Sequence, residues 1–359
     1  MSIVGHSGRV LLQRTDHSFE SQAVLNPGSV TVDGVTHMFY RAVKEGNYSS
    51  VGYCQLEDGE VIYRSQVPIL EPEFEWEQHG IEDPRVSLID GIYYLVYIAY
   101  DGLNARIAYA TATELPYFSK QGVISPPMQY HEVAELCKQR KHHSVVSFFD
   151  RYFVSLYEEQ PELRDLVVYE KDALLFPRKI NGKFALVHRI FPNVQVIYFD
   201  DFLQLKSAEF WAKNLYELEE HTILEPKHWF ESRHIGAGVA PIETEAGWLF
   251  LYHAVQEDED GKRTYHAAAA LLDLEDPTKV VGRLDHPLFS PGSSFEKEGD
   301  VNNVVFPTAA ELQEDRLTIY YGAADSCIAQ RTFSLQNILH DLGYRQPKNS
   351  LVAELVVSF

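Results

Sequence analysis

Residues 83–102 read DPRVSLIDGIYYLVYIAYDG, and this stretch decides the fold. A proline opens it, Asp90-Gly91 punctuates it, and apolar β-branched and aromatic residues flank that pair on both sides. An Asp-Gly between two such runs is the strongest short-range signal for a β-hairpin. Four further stretches repeat the pattern: NPGSVTVDGVTHMFYRAV (26–43), FPRKINGKFALVHRI (176–190), APIETEAGWLFLYHAV (240–255) and FPTAAELQEDRLTIYYGAAD (306–325). Their prolines, Pro27, Pro84, Pro177, Pro241 and Pro307, are spaced 57, 93, 64 and 66 residues apart.

A period near 60 residues is the mark of a repeat architecture. The long second interval implies an insertion at about 131–170, in which HEVAELCKQRKHH reads as a short helix. A third strand follows most hairpins, as in SVGYCQL and RIAYATA. Upstream of four anchors stands a second phrase, VLLQRTDHSFES, PILEPEFEWEQHG, TILEPKHWFES and PLFSPGSSFEKEG, whose counterpart before Pro177 is degenerate. Only AEFWAKNLYELEEH and FSLQNILHDLG read as helices between units. The expectation is an all-β, five-bladed β-propeller, one catalytic domain over 1–359 with the insertion between the second and third blades and short extra helices. Two consecutive β-sandwiches are the rival architecture, but no Pro/Gly/Ser-rich linker divides the chain.

Composition narrows the function. With 45% hydrophobic and 13% aromatic residues, the 359-residue chain has the makings of a large core. A formal net charge of −21 repels nucleic acid and anionic membranes, so a bound anion needs a local basic cluster. No apolar run is long enough for a membrane span, and the start lacks a signal-peptide profile, so a cytoplasmic protein is expected. Cys54, Cys137 and Cys327 stand far apart and read as buried small hydrophobes. GxSxG, HExxH, P-loop and GxGxxG patterns are absent. His142, His143, His228, His234, His253 and His266 follow no metal-ligand spacing, so no metal or organic cofactor is expected.

Aligning the units puts Arg41, Asp101, Arg189, His253 and Asp325 at the ends of the second strands. In a radial repeat those ends converge, and ionisable groups gathered there are either inter-unit salt bridges or a site. A second set stands at the unit entrances: Asn26, Glu82, Asp83, Arg85, Asn302 and Asn303. Short bifunctional side chains suit sugar hydroxyls, although turn chemistry explains an isolated asparagine equally well.

The runs GIEDPRVSLIDGIYYLVYIAYDGLNARIAYAT (80–111), DALLFPRKINGKFALVHR (172–189), IGAGVAPIETEAGWLFLYHAV (235–255) with AAALLDLEDP (268–277), and NNVVFPTAA (302–310) with IYYGAAD (319–325) together resemble glycoside hydrolase family 130. The resemblance runs in order from about Leu25 to about Leu339. It implies a five-bladed propeller that cleaves β-mannosides with inversion, as a phosphorylase or, in some branches, a hydrolase. It implies Asp101 of the AYDG motif as proton donor, acting through a hydroxyl of the mannose. Lys171, Arg189, His253 and either Arg233 or His234 occupy the positions implied for phosphate. All are basic, which favours phosphate over water as the nucleophile; Glu225 and Glu231 are the carboxylates that could instead deliver a base. Asn26, Arg41, Glu82, Asp83, Arg85, Asn303 and Asp325 are then the candidates for holding sugar. The partners implied are a β-mannoside oligosaccharide, phosphate and a second copy of the chain. An inverting β-mannosidase and a non-enzymatic protein-binding propeller are the rival functions.

Overall fold

The computed structural model describes residues 7–125, 127–140, 142–149, 151 and 166–345. Its strands form five antiparallel units in chain order. The first comprises Ala23–Val32, Val35–Lys44, Tyr48–Glu57 and Glu60–Arg64. The second comprises Gly80–Ile89, Ile92–Tyr100, Ala105–Ala112 and Ser119–Val123. Leu174–Leu175, Phe184–His188, Val194–Phe199 and Thr222–Leu224 make the third. His234–Ala237, Ile242–Thr244, Gly247–Glu257, Arg263–Leu272 and Val280–Arg283 make the fourth. The fifth is Val305–Gln313, Arg316–Ala323 and Cys327–Ser334, completed by Arg9–Leu12 from the far end of the chain.

The hairpins turn where the sequence places them. Asp33-Gly34 (φ 50° and 83°) and Asp90-Gly91 (φ 51° and 80°) both hold positive φ at their two central residues, the conformation whose twist matches paired strands. Pro241 directly precedes a strand, Ile242–Thr244, as the repeat suggested, but three other anchors do not. Pro27, Pro84 and Pro307 lie inside the first strand of their units, each at a register shift, where a missing N–H breaks no ladder bond. Pro177 lies outside a strand, and its unit opens with only two paired residues.

Apolar faces of successive units pack on one another. Phe39, Val51 and Tyr53 of the first meet Ile81, Val86 and Leu95 of the second. Comparable layers join the second to the third, the third to the fourth and the fourth to the fifth. Val24, Met38 and Tyr40 of the first unit meet Ala309, Tyr320 and Ile328 of the fifth, so the series closes on itself.

The phrase upstream of the anchors has a structural meaning. Its glutamate is buried in all four copies and accepts from a strand tyrosine and from a cation: Glu20 from Tyr40 and Arg64, Glu77 from Tyr97 and Lys120, Glu231 from Tyr252 and Arg283, Glu296 from Tyr321 and Arg331. In the third unit Glu170 and His188 (3.0 Å) stand in their place. Each carboxylate ties a loop to the strand it covers. Removing one takes the carboxylate from a largely enclosed cation and the acceptor from a buried hydroxyl, a change worth about 3–5 kcal/mol. Glu77→Ala is therefore expected to lower the unfolding free energy by about that amount in urea titration, with the denaturant slope unchanged.

Within the insertion, α1 (Tyr130–Arg140) and α2 (His143–Phe149) form a helical pair, and most of 150–165 lies outside the described residues. The other two helical stretches appear as Ala208–Tyr216 and Leu335–Asp341. Cys54, Cys137 and Cys327 are free and buried. Among the described residues no helix is long and apolar enough to cross a membrane.

Candidate active site

The first strands of the units deliver side chains through a shared backbone device. Asn26 (φ 47°) and Asp83 (φ 50°) each sit at the bulge of their strand in a left-handed conformation that re-aims the side chain. Asn26 Nδ2 donates to Asp83 Oδ1 at 2.8 Å. Asp172 (φ 59°) is left-handed too, as are Ala324 and Asp325 (φ 45° and 49°) after the second strand of the fifth unit. Asn26, Asp83, Asp172 and Asp325 line a cavity of about 380 Å³.

The lining divides electrostatically into two halves. One holds Asn26, Arg41, Asp83, Lys171 and Asp325. Behind it Glu82 pairs with both Arg41 (2.7 Å) and Lys171 (2.9 Å). Burial alone would raise the Glu82 carboxyl, but the two cations outweigh it and hold it at about 2. Asp325 behaves oppositely: burial, reinforced by Asp83 and Asp300 and opposed by Arg41, pushes it up to about 6. The other half is basic, with Arg189, Arg233, Arg263, His234 and His253. Burial and then Arg189 push both imidazoles well below their usual range, so both are neutral.

Several polar atoms here wait for a partner. Asn26 Oδ1, Arg189 Nε, His234 Nδ1 and His253 Nδ1 are buried with no hydrogen bond among the described residues. Buried polar groups are normally satisfied, so their gathering around one cavity indicates a site that a ligand completes. Aromatic rings form part of the wall: Phe148 from α2 stacks on Phe191 (centroids 5.0 Å, 3°), Arg189 lies 4.0 Å over Phe191, and Phe306 packs 4.3 Å from His253.

Of the residues singled out in the sequence, Asn26, Arg41, Asp83, Lys171, Arg189, Arg233, His234, His253 and Asp325 line the cavity. Arg233 and His234 both face it, so the choice between them dissolves. Glu82 and Arg85 stand behind it; Arg85 Nε donates to the Gly238 carbonyl at 2.9 Å and braces the wall. Asn303 contributes backbone, its carbonyl accepting from Tyr265 N, and Asn302 caps Gly299. Glu231 belongs to the buried tie described above, and Glu225 accepts from Asn193 and Ser144, so neither lines the cavity.

Asp101 is not among the lining residues. Its carboxylate accepts from Leu103 N (2.8 Å), Asn104 N (2.6 Å) and Asn104 Nδ2 (3.1 Å), closing its own turn. Those bonds outweigh burial and lower its pKa. The reason is register. Leu25, just before Asn26, pairs with Arg41, whereas Glu82, just before Asp83, pairs with Ile98. Ile98 is thus the true counterpart of Arg41, and Asp101 lies three residues, roughly 10 Å, further along. In the fifth unit the counterpart is Gly322, which pairs with Phe306, and Asp325 lies the same distance beyond it. There, however, the left-handed Ala324 and Asp325 turn the chain back to the cavity.

Sequence reasoning missed Asp172, Tyr169, Arg263, Tyr265, Phe148, Phe191 and Phe306. Arg263 and Tyr265 share one face of a third strand by simple alternation, a signal available in KRTYHAAAALL. Phe148 comes from a helix of the insertion and had none.

A family model described as beta-1,4-mannooligosaccharide phosphorylase matches residues 5–164 and 141–342. The 1,2-beta-oligomannan phosphorylase of Thermoanaerobacter sp. (strain X514) is 32% identical over 339 residues, 92% of this chain and 96% of that protein. The beta-1,2-mannobiose phosphorylase of the same organism is 33% identical over 329 residues, 87% and 90% of the two chains. Among solved structures, beta-1,2-mannobiose phosphorylase from Listeria innocua, in complex with beta-1,2-mannobiose, matches with a TM-score of 0.71 at 22% identity, covering 96% of this chain and 99% of that one. That likeness is one of fold.

Proposed function

Because the chain belongs to glycoside hydrolase family 130, we propose that it cleaves a β-mannoside with inorganic phosphate, releasing α-mannose 1-phosphate and a shortened sugar. The observation that carries this reading is the uneven charge of the cavity lining: Asp83 and Asp325 stand with Arg41 and Lys171 on one side, and three arginines and two histidines, with Asp172 paired to Arg189, on the other. Phosphate fits the basic half, where Arg189, Arg233 and Arg263 supply charge and the neutral His234 and His253 supply hydrogen-bonding nitrogens. The mannosyl unit fits beside Asn26, Arg41, Asp83 and Asp325. Attack from the phosphate side and departure on the other give inversion.

The leaving oxygen needs a proton. In place of Asp101, we assign that role to the Asp83–Asp325 pair, which lies in the cavity and whose mutual repulsion helps keep a proton bound. Asp83 is the oriented member, fixed by Asn26. Transfer through a mannose hydroxyl is compatible with this placement.

The same proposal includes a five-bladed propeller forming one catalytic domain over 1–359, supported by five units that pack in series and close on the first. It includes a cytoplasmic location, supported by three free cysteines. The mannosidase alternative draws on Asp172, a carboxylate beside the cations, but that carboxylate is engaged in an ion pair with Arg189. Incubation with β-1,2- and β-1,4-linked manno-oligosaccharides, with and without phosphate, separates the two. Mannose 1-phosphate formed only with phosphate is expected; free mannose released at the same rate without it would overturn phosphorolysis.

A further inference from the structure

Arginine donors accept any tetrahedral oxyanion, since a guanidinium has no acceptor and keeps its charge. One neighbour in the basic half is different. Asp172 lines the same cavity, ion-paired to Arg189, with Oδ2 3.6 Å from His253 Nε2. An ionised carboxylate offers lone pairs and no proton, so it opposes an anion that also has none. Among the described residues no backbone N–H or hydroxyl donates to it, and its partner is the Arg189 guanidinium. The fold makes room for it: Asp172 adopts φ 59°, and a Cβ on Gly236 would strike its Oδ2.

His253 has the same sense. Arg189 Nη1 lies 3.4 Å from His253 Nε2, and because a guanidinium only donates, Nε2 accepts and the imidazole is neutral. The site therefore combines donors with buried acceptors.

We infer that Asp172 selects an oxyanion that carries a proton, hydrogen phosphate or hydrogen arsenate, against sulfate, which carries none at neutral pH. The inference rests on the phosphorylase reading and names the ionic form of its co-substrate. The phosphate O–H donates to Asp172 while the remaining oxygens take the donors of Arg189 and its neighbours. Sulfate would set a lone pair against the carboxylate, and sites with a buried unmatched polar group reject such analogues by factors that reach about 10⁴.

Calorimetric titration of the whole protein with phosphate, arsenate and sulfate, at neutral pH and constant ionic strength, tests this. Phosphate and arsenate are expected to bind within about 10-fold of each other and sulfate at least about 100-fold more weakly. Asp172→Asn keeps the size and tolerates the left-handed backbone, and it presents an NH₂ to the anion. It is expected to bring sulfate within about 10-fold of phosphate. Wild-type protein binding sulfate as tightly as phosphate overturns the inference and leaves phosphorolysis standing, as does an unchanged ratio in the variant. Failure of every anion to bind a cooperatively folded preparation overturns both. If the variant does not fold, the wild-type ratio decides.

Discussion

Asp83→Asn is expected to lower kcat for manno-oligosaccharide phosphorolysis by roughly 10³-fold, within the range a positioned general acid contributes. The substitution is close to isostructural. Asparagine tolerates the φ of 50° at this position, and its side-chain oxygen can still accept from Asn26 Nδ2. What it loses is the capacity to give up a proton, so KM should move little while kcat falls. An aryl β-mannoside, whose phenolate leaves without protonation, should recover much of the rate.

The partner carboxyl supplies a second readout. Asp325 titrates at about 6, so its proton is present below that pH and lost as pH rises through it. The alkaline limb of kcat/KM should therefore sit near that value and disappear in Asp325→Asn. Asp101→Asn, by contrast, alters a turn whose carboxylate already accepts three hydrogen bonds, and should cost only a few-fold. A loss in Asp101→Asn equal to that in Asp83→Asn, with aryl-mannoside rescue, would return the acid role to Asp101.

The contrast between Asp83 and Asp101 marks where the sequence is readable. Prolines and Asp-Gly turns act locally, so five hairpins can be counted from the chain alone. Matching positions between units depends on strand pairing, and a bulge shifts pairing without changing composition. The buried tyrosines would have set the phase. Tyr40 precedes Arg41, Tyr97 precedes Ile98 and Tyr252 precedes His253, each bonded to the glutamate of its upstream phrase. Read with those glutamates, the repeated phrase points to Arg41, Arg189 and His253 and away from Asp101. Asp172 lay beyond such reading, because what brings it into the cavity is a left-handed backbone that Asp and Asn adopt equally well in ordinary turns; strand-end alignment does reach Asp325, although the same backbone conformation is what places it.

Arg189→Met, the second large effect, should raise KM for phosphate by on the order of 10² to 10³-fold. Arg189 has three neighbours at the wall of the cavity: it pairs with Asp172, donates to His253 and lies over the ring of Phe191. It is buried, so little solvent screens its charge, and among the described residues its Nε has no partner. Truncating one member of a buried, hydrogen-bonded charge pair typically costs about 2–5 kcal/mol, part of which is the penalty of orphaning the other member. Here the orphan would be Asp172. The double variant Arg189→Met with Asp172→Asn removes that penalty, so it should regain folding stability without regaining phosphate affinity. A lysine at 189 restores charge but not the two-directional reach of a guanidinium, and should recover only part of the loss. If all three variants kept wild-type dependence on phosphate, the anion would have to bind elsewhere in the cavity, at Lys171 and Arg41, and the division of the site into a sugar half and a phosphate half would be reversed.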